Sequence, residues 1–147
     1  MKKLALLAVV TVALASTALA AGAGQHPVKA HLSARAEVPR PIGATKKAAG
    51  AFTGAYVVQG TALKLKWKLS FNHLTGVATA ATLRKAKPGL IGEQITVLCK
   101  PCKSGASATT LMHKSVLKAL SSGRTYVMIY TKRNPAGEIR GQILARR

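Results

Sequence analysis

The sequence predicts an all-β protein: a single antiparallel, Greek-key-like β-sandwich with one short helix, preceded by a signal peptide. Three observations carry this expectation. Apolar and polar residues alternate in short runs, Gly, Pro and Asn recur between those runs, and only one stretch spaces its apolar residues as a helix would.

The chain opens MKKLALLAVVTVALASTALA, with Lys2 and Lys3 ahead of an apolar run from Leu4 to Leu14 and the small-residue triplet Ala18-Leu19-Ala20. This is the layout of a secretory signal over residues 1–20, cleaved between Ala20 and Ala21, and it predicts a periplasmic or extracellular protein. A membrane span needs about 20 apolar residues, so the run is too short to anchor the mature chain. The first cysteine is Cys99, far from the cleavage point, which argues against a lipid anchor.

Residues 21–28 are small and aperiodic at first and read as a flexible leader to a single domain over 29–147. From Val28 the pattern alternates: Val28, Ala30, Leu32, Ala34, Ala36 and Val38 fall on one face and Lys29, His31, Ser33, Arg35 and Glu37 on the other. That is a half-buried strand, stopped by Pro39 and Pro41. A turn region at 43–50 leads to a second strand over 51–59, closed by Gly60.

ALKLKWKLSF gives the clearest alternation, with Leu63, Leu65, Trp67, Leu69 and Phe71 on a core face and Lys64, Lys66 and Lys68 in a row on the other. Residues 77–84 and 94–98 read as further strands separated by a basic loop with Pro88, Gly89 and Gly92. Ser115 is placed to cap a short helix with Val116, Leu117 and Leu120 on one face and Gly123 at its end. The chain closes with a hairpin, 125–131 and 138–144, around the type I turn Asn134-Pro135-Ala136-Gly137.

Composition narrows the function. The chain carries 23 basic residues against three acids and no aspartate. Loss of Lys2 and Lys3 with the signal leaves 21 basic residues against Glu37, Glu93 and Glu138, a net charge of +18. Such a surface attracts polyanions. Few carboxylates, no GxSxG and no aspartate to orient a histidine leave little basis for hydrolytic catalysis, so no enzyme is expected and no cofactor.

The segment YVMIYTKRNPAGEIRGQI, the approach ALSSGRTYV and the early AEVP together resemble the CHRD domain over about residues 29–147. The resemblance implies an exported all-β domain. It also implies a histidine pair at positions 82 and 84 and a third histidine within 126–131, a set able to hold a metal. In this chain Thr82, Arg84 and Tyr130 stand there; a guanidinium repels a metal, so no metal is expected, and the positions are either substitutions on a face that has lost its role or a pocket suited to an anion or a hydroxylated ligand.

Cys99 and Cys102 form a CxxC. In an exported chain with two cysteines the expected state is a local disulfide. A redox dithiol tuned by Lys100 and Lys103 lacks the βαβ setting of such motifs, and structural zinc lacks further ligands. His26, His31, His73 and His113 have no ligand-like spacing. Glu138 and Arg140, two apart on a strand, are expected to share a face, to pair or bridge neighbouring strands, and to be structural.

The functional expectation is a binding or structural module that associates with an anionic polymer or envelope surface and reads no specific nucleic acid. Lys64, Lys66 and Lys68 form one contact stripe and Arg84, Lys85 and Lys87 a second. The alternative is a metal- or thiol-dependent redox protein with a degenerate superoxide-dismutase-like site.

Overall fold

In the computed structural model, which describes residues 24–145, the alternating runs become strands β1 (His26–Ser33), β2 (Ala49–Gln59), β3 (Ala62–Asn72), β4 (Ala78–Lys85), β5 (Glu93–Cys99), β6 (Ala106–His113), β7 (Thr125–Thr131), β8 (Ile139–Gln142) and β9 (Leu144–Ala145). The expected signal peptide, 1–20, and the first residues of the expected leader lie outside the described residues. The strands form one continuous antiparallel sheet in the order β5-β4-β7-β8-β1-β2-β3-β6, with β9 also on β1. It curls until β5 and β6 approach, so its halves face each other across one core, sandwich-like and nearly closed as a barrel.

Alternation explains the core. Leu63, Leu65, Trp67 and Leu69 of β3 are buried and their lysine neighbours exposed. Phe52 and Tyr56 of β2, Ala81 and Leu83 of β4, Val127 and Ile129 of β7, and Ile139 complete the interior. Fully burying each large side chain stabilises the fold by roughly 1.5–3 kcal/mol. Trp67 donates its indole N–H to Thr110 Oγ1 at 2.9 Å, so the ring's polar edge is satisfied.

The structure departs from the sequence expectation at four places. β1 takes in residues 26–28 of the expected leader and stops at Ser33, whose hydroxyl accepts from Ala36 N and turns the chain into a 3-10 helix over Ala34–Ala36. Strand β6 was not expected, because ASATTLMH alternates small residues with hydroxyls and carries almost no hydrophobic contrast. The C-terminal strand is split into β8 and β9 around Ile143.

The fourth departure is the helical crossover, a 3-10 turn Lys114–Val116 running into α1 (Leu117–Ser121). It is capped by the His113 side chain, which accepts from Ser115 N, and not by Ser115. Its C-terminus follows the expectation: Gly123 N–H bonds to Leu120 O and Arg124 N–H to Ala119 O, the Schellman pattern, with Gly123 at φ 69°. The Asn134–Gly137 turn also forms, closed by Gly137 N to Asn134 O at 3.1 Å.

Candidate functional site

Two faces outside the core carry chemistry. On β4, Thr82 and Arg84 point away from the core, as do Tyr126, Met128 and Tyr130 of β7 and Arg140 and Gln142 of β8. The register sets Arg84, Tyr126 and Gln142 abreast and Thr82, Met128 and Arg140 abreast. The Thr82 and Tyr130 hydroxyls lie 3.0 Å apart, and Arg84 Nη1 donates to Tyr130 Oη at 3.1 Å. The three positions of the expected pocket therefore meet, as a hydroxyl and guanidinium cluster.

Most of the polar groups here are engaged by the β4–β5 loop, which arches over the sheet. Arg84 donates to Gly92 O through Nε at 3.1 Å and Nη2 at 2.6 Å, and Nε also reaches Tyr126 Oη at 3.2 Å. Arg140 donates to Leu90 O at 2.8 Å and Lys87 O at 3.1 Å, while Gln142 Nε2 donates to Ala86 O at 2.7 Å. The planar guanidinium with several fixed donors suits this clasp in a way an ammonium does not. What stays open is a hollow of about 430 Å³ lined by Thr82, Tyr130, Gln94, Val97, Lys100 and Pro135 among others.

Glu37 lies beneath this cluster. Although the alternation placed it on the polar face, the turn at Ala34–Ala36 re-aims it inward and only 1% of it is exposed. Oε1 accepts from Val38 N at 2.9 Å, and buried Oε2 has no partner. Gly137 covers it: a Cβ there would stand 2.6 Å from Oε2, and φ of 122° also favours glycine. Burial pushes the carboxyl up to about 7, against the pull of the Val38 N–H, Arg140 and Arg84.

Glu138 is the opposite case. It accepts from Thr75 N at 2.5 Å, Thr75 Oγ1 at 2.6 Å, Thr131 Oγ1 at 2.5 Å and Asn134 Nδ2 at 3.2 Å. Burial alone would raise its carboxyl, but these donors outweigh burial and hold it below the usual range. The expected pairing of Glu138 with Arg140 does not form. Glu138 ties the turn before β4 to the β7–β8 hairpin, and Arg140 belongs to the loop clasp.

The second face is the outer side of β3. Lys64, Lys66 and Lys68 are all exposed there, with Val57, Ala55 and Thr53 of β2 on one side and Leu111, Thr109 and Ser107 of β6 on the other. Thr53 is flanked by Lys68 and by Lys29 of β1. A shallow depression of about 360 Å³ runs beside Lys66 and Lys68. Arg84, Lys85 and Lys87 form no such row: Arg84 turns into the clasp, Lys85 pairs with Glu93 at 3.4 Å, and Lys87 lies on the loop. Lys85–Glu93 is the one side-chain ion pair among the described residues.

Cys99 and Cys102 are joined as a disulfide that closes the end of β5, and Cys102 N donates to Ala78 O at 3.2 Å. His113 lies at the far end of β6 from them. Among the described residues no three of His, Cys, Asp and Glu gather in a metal-like cluster, and no helix is long and apolar enough to cross a membrane.

Sequence reasoning found Thr82, Arg84 and Tyr130 but missed Tyr126, Glu37 and Gln142. Tyr126 was legible as the residue four before Tyr130 on one strand, hence on the same face. Neither curated proteins nor solved structures gave a significant match. A family model for the CHRD domain matches residues 28–143, from within β1 to the residue before β9, and the chain belongs to the CHRD domain family.

Proposed function

We propose that this CHRD-domain protein is an exported binding module, not an enzyme, which holds linear anionic polymers of the envelope or extracellular matrix against the lysine row of β3. The observation that carries the reading is the row itself: Lys64, Lys66 and Lys68 exposed on one face with no acid beside them. Alternate residues on a strand are about 6.6 Å apart, so the row presents regularly spaced charge to an extended chain. Small neighbours such as Ala55, Thr53 and Ser107 leave the ammonium groups open to contact. Nothing on this face offers fixed donors or acceptors for reading bases, so nucleic acid would be held by its phosphates alone, without sequence preference.

The thiol form of the redox alternative would need the Cys99–Cys102 disulfide to exchange with an external thiol, for which no feature of the described residues speaks. The test is binding of an acidic polysaccharide across a salt series, comparing the wild type with a Lys64→Glu, Lys66→Glu, Lys68→Glu variant. Affinity should fall linearly on a log–log plot, and the variant's slope should be shallower by about 2–3 because fewer counterions are released. Salt-independent affinity, or a variant that binds as the wild type does, overturns the reading.

A further inference from the structure

A second basic site lies elsewhere on the molecule, between the end of β1 and the segment that leads to β2. There Ser33, Arg35, Arg40, Thr45 and Lys46 line a cleft of about 680 Å³. Ligand pockets commonly run from about 300 to 1,000 Å³. Arg35, Arg40 and Lys46 are exposed, and none of them has a carboxylate within ion-pair distance among the described residues. The chain's three glutamates are spoken for: Glu93 by Lys85, Glu138 by its four donors, and Glu37 in the interior.

The hydroxyls complete the pattern. Ser33 Oγ accepts from Ala36 N and Thr45 Oγ1 accepts from Lys47 N, each at 3.3 Å, so each keeps its own proton to donate. Guanidinium and ammonium groups cannot accept at all. The charged side chains around this cleft thus offer only donors, and each hydroxyl has one of its two acceptor lone pairs already used.

The far wall is held in place. Buried Asn134 takes Ile42 N–H on Oδ1 at 2.6 Å and donates Nδ2 to Ile42 O at 3.1 Å, which fastens this segment to the β7–β8 turn. The Arg133 guanidinium lies against Gly43, so close that a Cβ there would stand 2.8 Å from its Cζ, and adds positive charge at the rim.

From this donor-rich, acid-free, anchored cleft we infer a binding site for a phosphate ester carried on a body of sugar or headgroup size. Two arginine forks match the tetrahedral oxygens of a phosphate, Lys46 adds a point charge, and the volume exceeds what inorganic phosphate fills. The site is separate from the lysine row and takes a discrete ligand, so it stands or falls apart from polymer binding.

The test uses glucose 6-phosphate, glucose, and phosphatidylcholine vesicles with and without phosphatidic acid, read by amide NMR and sedimentation. Glucose 6-phosphate should bind saturably at one site and shift the amides of Ser33, Ala44, Thr45 and Lys46, with glucose inert. Arg35→Gln and Arg40→Gln should each weaken binding about tenfold, Arg40→Lys less, and the triple change Lys64→Gln, Lys66→Gln, Lys68→Gln less than twofold. Vesicle binding that needs both phosphatidic acid and Arg35 and Arg40 assigns the ester to a lipid; the soluble ester alone assigns it to a free metabolite. No saturable shift with either probe, unchanged affinity in folded arginine variants, or equal loss in the lysine variant overturns the site.

Discussion

The Arg140 guanidinium lies flat against Tyr126, its Cζ 3.5 Å from the ring centroid, while its donors reach Leu90 O and Lys87 O. One side chain thus joins β8, β7 and the β4–β5 loop, and only 1% of it is exposed. Replacing Arg140 by Ala leaves two carbonyls and a ring face without partners and should cost about 3–5 kcal/mol. Arg140→Lys keeps the charge but loses the fork and the stacking, and should recover less than half of that. Urea unfolding followed by the fluorescence of Trp67 measures both, and proteolysis within 86–92 should rise in the same order.

Glu37 makes stability fall as pH rises. Its carboxyl sits at about 7 in the folded protein against an ordinary 4.5, so the folded state holds the proton more tightly. That contribution is fully present below about 4.5 and is lost as pH climbs through about 7, an effect on the order of 3 kcal/mol. Glu37→Gln should flatten this part of the profile, matching the wild type near pH 5 and exceeding it at pH 8. Melting curves across that window decide it; an unchanged slope in the variant would mean that Glu37 is not the group responsible.

Glu138 works in the other direction. Its lowered carboxyl stabilises the fold above the ordinary carboxylate range, and this stability is lost as pH falls below it. Glu138→Gln puts an amide nitrogen among groups that donate, and should cost about 2–3 kcal/mol at neutral pH. Amide exchange at Thr75, whose N–H bonds to this carboxylate, should accelerate in step with the lost stability.

The disulfide encloses a short loop, so its constraint on the unfolded chain is modest, about 2 kcal/mol by loop entropy. A Cys99→Ser, Cys102→Ser variant should fold, with a midpoint lowered accordingly, and should bind acidic polysaccharide as the wild type does. Loss of polymer binding without unfolding would instead tie the cysteines to function.

The strands that announced themselves were those with large apolar residues set against charge. β3 is legible residue by residue because Leu and Trp alternate with Lys. β6 is hidden because Ala106, Ala108 and Thr110 differ too little from Ser107 and Thr109, and it is held in the sheet by its pairing with β3 along its whole length. Glu37 eluded the pattern for another reason: alternation assumes that the strand continues to Val38, and β1 ends five residues earlier at Ser33, whose hydroxyl accepts from Ala36 N. The meeting of Thr82, Arg84 and Tyr130 was foreseen from the resemblance. The loop carbonyls that occupy Arg84 could not be, since no residue type records where a distant carbonyl will point.

Of the three acids, two are buried and the third, Glu93, is matched by Lys85, so the outside of the described domain is cationic almost without relief. Two copies meeting in dilute solution repel from every approach, which keeps the protein dispersed as it diffuses. On a strand of opposite charge that repulsion is cancelled, and neighbouring copies crowd along it. Each copy has cations on more than one side, so a polyanion bound as proposed would be drawn toward its neighbours through the protein, as stones are by mortar.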